Sequence, residues 1–154
     1  LGQGISQAVG MALVARMDGR KNRVICFMGD GEQDEGQCWE AYMLAGKERL
    51  HNLTIVIDRN NMQIDGHTEE VMPLEPLRKK LEVFNLHVID VDGHNMEEIT
   101  SALSEAKAVF EKPTAIILHT IPGKGVEFME NEPSWHGKVP NKEEAAEALA
   151  ELES

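Results

Sequence analysis

Apolar residues recur at helical spacing over residues 4–17, where Ile5, Ala8, Val9, Ala12 and Leu13 would share one face. Small side chains dominate that face, which predicts a helix buried close against a neighbour. The turn GRKN at 19–22 separates it from RVICFM at 23–28, a short apolar run β-branched at Val24 and Ile25 that predicts a buried strand. A second helix is expected over 37–50, with Trp39, Met43, Leu44 and Leu50 as packing positions, followed by a second buried strand, LTIVID, at 53–58. A helix over 74–85 and a third strand, LHVIDV, at 86–91 come next. Asn95 with Glu98 three residues on has the pattern of a capping box. Ile99, Leu103, Ala106 and Phe110 then form one apolar face, and Pro113 stops the helix. TAIILHT at 114–120 predicts a fourth strand. Residues 121–140 have no period, and a loop of that length in a compact domain is usually functional or disordered. A last helix starts near Asn141.

Strands that alternate with helices and are apolar throughout predict an α/β fold: an open parallel sheet with helices on both faces. One domain over residues 1–154 accounts for the whole pattern. Because the chain opens at Leu1 inside a helical pattern, we expect a domain that lacks its N-terminal part.

The formal charge of −12 excludes nucleic acid as an expected partner, since phosphate contacts need clustered Lys and Arg. Much of the acid lies in the tail NKEEAAEALAELES, read as a solvated helix face. No apolar run reaches membrane-spanning length. Cys26 and Cys38 are not a C-x-x-C pair, and the expected setting is a reducing cytoplasm.

Two loops fall at the carboxyl ends of predicted strands, where ligands bind in open parallel sheets. GDGEQDEGQ at 29–37 packs four acids and three glycines into nine residues, and RNNMQIDG at 59–66 follows the second strand. A single crossover helix joins the two strands, so the loops are expected side by side, with Asp30 and Asn60 facing one space. That pair suits a metal-bound diphosphate. Mg2+ takes hard oxygen ligands, leaning on one or two carboxylates plus substrate phosphates. Glycines beside Asp30 let backbone N–H groups approach an anion at the start of a helix. Other loop chemistries fail: an EF-hand starting at Asp30 would have Glu35 and Ala41 where Gly and Glu are required. A dinucleotide fingerprint starting at Gly2 would have Gln7 in place of its third glycine.

GDG followed thirty residues later by NN resembles the thiamine diphosphate motif. LGQGISQAVGMA, GDGEQDEGQCWEA, DRNNMQIDG and SWHGKVP resemble transketolase segments in the same order, over nearly the whole chain. The resemblance implies the pyrophosphate-binding domain of the thiamine diphosphate-binding fold, in one subunit of a split transketolase. It implies that Asp30 and Asn60 coordinate Mg2+ (or Ca2+) through side chains and Met62 through its carbonyl. Gly31 would donate its N–H to the diphosphate, Leu1 and Ile64 would pack on the thiamine, and His136 would sit near diphosphate and substrate. Glu35 and Glu40 resemble acids that link two cofactor sites across a dimer interface. Lys124 is the nearest basic residue to a position where the family often has Lys or Arg for the cofactor.

The implied reaction is transfer of a two-carbon ketol unit from a ketose phosphate to an aldose phosphate, as in the pentose phosphate pathway. The glutamate that activates the cofactor belongs to the pyrimidine-binding domain, so a subunit carrying that domain and the C-terminal domain is the expected partner, in a homodimer or heterotetramer. Two other readings stay open. One keeps the cofactor in a 2-oxoacid decarboxylase or dehydrogenase component, or a deoxyxylulose phosphate synthase-like enzyme. The other is a non-catalytic assembly fragment.

Overall fold

The computed structural model describes residues 1–153. In chain order the elements are α1 (Gln3–Met17), β1 (Val24–Gly29), α2 (Gly36–Lys47), β2 (Leu53–Arg59), β3 (Met62–Gln63), β4 (Gly66–His67), α3 (Thr68–Val71), α4 (Leu77–Val83), β5 (His87–Asp92), α5 (Met96–Ala108), β6 (Thr114–His119) and α6 (Lys142–Leu152). Short 3-10 turns cover Gly31–Asp34 and Pro133–Trp135. The four apolar runs pair as an entirely parallel sheet in the order β1-β2-β6-β5. Helices α1, α2 and α4 pack on one face around Ile5, Met28, Tyr42, Ile57, Leu77 and Ile117. Helix α5 covers the other face through Ala102 and Ala106 against Val56, Val91 and Ile116. The expected architecture is therefore the observed one.

Three local expectations need correction. The buried stripe of α2 is Cys38, Ala41, Tyr42, Ala45 and Gly46, and Met43 and Leu44 are exposed, while Leu50 is buried and the half-buried Trp39 packs against the core as expected. Close approach decides this: a methyl group built on Gly46 would lie 1.9 Å from the Phe84 carbonyl oxygen, so the small residues face inward. Strand β1 is not buried on both sides. Ile25 and Phe27 are 60% and 67% exposed, because β1 lies at the edge of this four-stranded sheet and the α5 cluster stops at β2. Phe110 is exposed because α5 ends at Ala108 before reaching it.

The expected capping box at Asn95 forms in its N-cap half only, the Glu98 carboxylate accepting from Asp92 N and Asn95 Nδ2 instead of the Asn95 backbone N–H. Asn95 Oδ1 accepts from the N–H groups of Glu97 and Glu98 at 3.0 and 3.3 Å. Asn141 and Glu144 make a reciprocal capping box, worth about 1 kcal/mol for its N-cap. Helix α6 buries no residue, in line with the solvated face read from its acids.

Cys26 and Cys38 are both buried and free. Burial, reinforced by the neighbouring carboxylates of Glu32 and Glu35, pushes the Cys38 thiol up to about 11. Burial also raises the Cys26 thiol. The reactive thiolate is therefore scarce in the folded protein at pH 8. Mass spectrometry after iodoacetamide treatment at that pH should find both residues unmodified in the native protein and both modified in denaturant.

Candidate functional site

The parallel register of β1 and β2 sets Gly29 beside Asp58 and leaves both following loops on one rim. The loop after β1 begins with Asp30, whose backbone N–H donates to the Asp58 carbonyl at 3.0 Å. Asp30 then caps the Gly31–Asp34 turn, its Oδ1 accepting from Gly31 N at 2.7 Å. Gln33 locks this turn from beneath. Its Nε2 donates to the Gly29 carbonyl at 3.0 Å, its Oε1 accepts from the Tyr42 hydroxyl, and its carbonyl accepts from Trp39 Nε1 at 2.8 Å.

The loop after β2 folds into the hairpin β3–β4, where the sequence pattern predicts only a loop. Asn60 Oδ1 accepts from Met62 N at 2.9 Å, turning the chain into β3. The Asn61 N–H reaches across to Asp30 Oδ2 at 2.7 Å, so the two loops are joined directly at the expected ligand. A methyl group built on Gly31 would lie 2.5 Å from Gln63 Cβ and 3.5 Å from the Met62 carbonyl oxygen, which shows how closely the hairpin covers the turn.

A buried ion pair at the rim is one that sequence reasoning missed. Arg59, 2% exposed, ends β2 and donates Nη1 to Asp30 Oδ2 at 2.9 Å and to Thr68 Oγ1 at 2.6 Å. Its Nη2 reaches Glu69 at 2.7 Å and Glu75 at 3.2 Å. Burial pushes the Asp30 carboxyl above its ordinary range, opposed by the Arg59 guanidinium and the N–H groups of Asn61 and Gly31. The signal for Arg59 is a basic residue that follows Asp58 at the end of the run LTIVI, and such a charge needs an acid partner when buried. Glu32 is a second residue whose role the sequence pattern does not reveal. Its carboxylate accepts from Gly2 N at 2.6 Å and Gly29 N at 3.4 Å, tying the start of α1 to this loop.

A cavity of about 210 Å³ opens over these residues, lined by Leu1, Asp30, Gly31, Asn60, Met62, Ile64 and His136, with Glu32, Asp34 and Gln63. All seven residues expected at the cofactor or metal thus share one space. Leu1 and Ile64 are exposed at its mouth, offering apolar surface rather than core packing. His136 arrives from the long loop, which is ordered by the Phe128–Trp135 edge contact at 5.3 Å and by Lys138 lying 3.8 Å from the Trp135 ring centroid. Lys124 does not line the cavity. Neither do Glu35 and Glu40, which are exposed on the start of α2. A larger hollow of about 570 Å³ lies between α2 and α4, lined mainly by Trp39, Leu74, Val83 and Phe84, and holds none of the donor residues.

The donor set fits a divalent cation held partly by a ligand. Asp30 gives a carboxylate oxygen, Asn60 an amide oxygen and Met62 a carbonyl oxygen, all hard donors. Among the described residues no group of three His, Cys, Asp or Glu side chains gathers to hold a metal, so phosphate and water oxygens would have to complete the shell. No helix among the described residues is long and apolar enough to cross a membrane.

Residues 1–152 match the family model for the transketolase thiamine diphosphate binding domain. The chain is 50% identical over 153 residues to the 6-deoxy-6-sulfo-D-fructose transketolase subunit of Clostridium sp. (strain MSTE9), covering 99% of this chain and 56% of that protein. It is 43% identical over 152 residues to an apulose-4-phosphate transketolase subunit of Phocaeicola vulgatus, covering 99% and 54%. Transketolase from Campylobacter jejuni superimposes with a TM-score of 0.92 at 32% identity, over 99% of this chain and 25% of that one. The chain thus spans about half the length of the two curated relatives.

Proposed function

The chain belongs to the transketolase thiamine diphosphate-binding domain family, and we propose that it supplies the diphosphate- and metal-binding half of a ketol transferase. The observation that carries this reading is the single cavity at the ends of β1 and β2, where Asp30, Gly31, Asn60, Met62, Leu1, Ile64 and His136 converge. Mg2+, with Ca2+ as a substitute, would be held by Asp30, Asn60 and the Met62 carbonyl. Gly31 would exchange its bond to Asp30 Oδ1 for one to a diphosphate oxygen. Leu1 and Ile64 would bury the apolar part of the cofactor against their exposed side chains. His136 would donate a proton or hydrogen bond to phosphate or sugar oxygens from the loop side.

Thiamine diphosphate, when bound, supplies the carbon nucleophile and electron sink for moving a two-carbon unit. This chain's contribution is position and charge: it would fix the anionic end of the cofactor. The glutamate that activates the cofactor would come from a partner subunit with the pyrimidine-binding domain. Two relatives carry the word subunit in their names, which supports a partner. Glu35 and Glu40, exposed and outside the cavity, are available to face that partner and link paired sites.

The substrates would be sugar phosphates or close analogues. In the partner-completed complex, ketol transfer from ketose phosphates should be measurable, with apulose-4-phosphate and 6-deoxy-6-sulfo-D-fructose included as donors because two relatives are named for them. Decarboxylation of 2-oxoacids should be undetectable in the same preparation. The opposite pattern would assign the site to the oxoacid branch of thiamine diphosphate chemistry.

A further inference from the structure

We propose that Arg59 is a positioning residue that restricts Asp30 to a single metal-facing oxygen and so sets the metal preference of the site. The inference rests on the metal-site reading above and adds a residue to it. A carboxylate offers about four lone-pair positions on two oxygens. In Asp30, Oδ2 accepts from Arg59 Nη1 at 2.9 Å and from Asn61 N at 2.7 Å, which uses both of its positions. Oδ1 accepts only from the adjacent Gly31 N, at 2.7 Å. At least one position on Oδ1 is therefore open, two once Gly31 N turns to the diphosphate, and the carboxylate can bind a cation through that one oxygen only.

Arg59 cannot easily release Oδ2. It is 2% exposed, and its other Nη donors are committed to Thr68 Oγ1, Glu69 and Glu75. Those partners are themselves fixed: Thr68 is fully buried, Glu69 accepts from Leu74 N at 3.0 Å, and Glu75 accepts from Leu77 N at 3.0 Å. The guanidinium is thus a rigid fork wedged between the ligand and the segment that follows the hairpin.

Single-oxygen ligation matters because the two candidate cations differ in what they ask of a carboxylate. Mg2+ takes six ligands in near-octahedral geometry, whereas Ca2+ takes six to eight and readily accepts both oxygens of one carboxylate. With Oδ2 blocked, the site gives Ca2+ no extra ligand and the octahedral ion is favoured. Removing Arg59 frees one acceptor position on Oδ2 and releases the tether on the carboxylate, so that Asp30 can turn and offer both oxygens. It also removes a positive charge, but that change acts equally on two ions of the same charge. The ratio of their affinities therefore reads the geometry alone.

The test uses the partner-completed complex with saturating thiamine diphosphate, whose retention is followed by equilibrium dialysis as Mg2+ or Ca2+ is titrated. In Arg59→Met the ratio of half-saturating Ca2+ to half-saturating Mg2+ should fall by about tenfold relative to wild type, the lower end of what an outer-shell change does to metal affinity. Equal weakening of both ions would overturn the proposal and leave Arg59 a structural residue. If Arg59→Met does not assemble, a crystal structure of the wild-type complex loaded with Mg2+ decides. Asp30 bound through Oδ1 with Arg59 on Oδ2 supports the proposal, and Asp30 bound through both oxygens overturns it. Asp30→Asn separates the two levels. Loss of metal-dependent retention in Asp30→Asn, with an unchanged ratio in Arg59→Met, sinks the Arg59 proposal alone. Unchanged retention in Asp30→Asn removes the metal site itself.

Discussion

Asp30→Asn should remove most of the stabilisation that thiamine diphosphate with Mg2+ gives the partner-completed complex. The substitution keeps the shape of the side chain and removes the one carboxylate among the three protein donors at the cavity. Loss of a direct ligand should weaken metal-dependent binding by at least the ~100-fold that marks the upper end for outer-shell changes. At a ligand concentration a hundred times the wild-type Kd, the wild type gains about 2.7 kcal/mol and the variant only about 0.4 kcal/mol. A thermal unfolding scan with and without the ligand pair therefore reads the effect directly. The unliganded variant should itself lose about 1.5–3 kcal/mol, the scale of a hydrogen bond to a charged group. The loss stays moderate because Arg59 keeps Glu69 and Glu75 as partners and is not left as an isolated buried charge. An equal ligand-induced shift in both proteins would show that Asp30 does not hold the metal.

Why Asp30 and Asn60 are readable in the sequence, while Arg59 is not, follows from what each position needs. Strands β2 and β6 are buried along nearly their whole length, so they appear as unbroken apolar runs, and the loops at their ends are located by the sheet itself. Asp30 and Asn60 then stand out as hard-oxygen residues at neighbouring strand ends. Arg59 sits one residue earlier, and a charge at a strand end ordinarily marks the return to solvent. Only the tertiary placement of Glu69 and Glu75, ten and sixteen residues away, turns it inward. Hairpin β3–β4 has two residues per strand, too short for alternation to register. The inward face of α2 is not the one its large residues suggest, because its contact with the Phe84 carbonyl demands glycine at 46 and closeness outweighs side-chain size. The long loop shows no period because irregular aromatic and cation–π contacts within it, Phe128 on Trp135 and Lys138 on Trp135, order it instead of a repeating backbone pattern. Glu35 and Glu40 are grouped with the site by resemblance, and their exposed positions on α2 put them outside its cavity.

Gly31→Ala should damage the site more than its size suggests, and Gly36→Ala in the same stretch should not. The added methyl at position 31 would lie 2.5 Å from Gln63 Cβ and 3.3 Å from Gln63 Cα. Neither atom is the free end of a side chain, so relief requires the hairpin to move as a unit. Its root is held by Asn61 N on Asp30 Oδ2 at 2.7 Å, by Met62 N on Asn60 Oδ1 at 2.9 Å and by Thr68 N on the Asn61 carbonyl at 3.0 Å. Displacement therefore pulls the Asn60 and Met62 oxygens away from Asp30 while stretching the bond that joins the loops. Overpacking of this kind costs about 1–3 kcal/mol, a fall in Tm of roughly 2–12 °C for a chain of this size. Metal-supported binding of thiamine diphosphate should fall by about tenfold or more, as when a ligand's outer support is disturbed. At Gly36 nothing lies within 4 Å of the added methyl, and the position opens α2. Alanine there should leave cofactor binding unchanged and hold or raise stability by up to about 1 kcal/mol. Equal behaviour of the two variants in melting and in dialysis would mean that the glycine at 31 serves the turn alone and that the hairpin does not set the spacing of the donors.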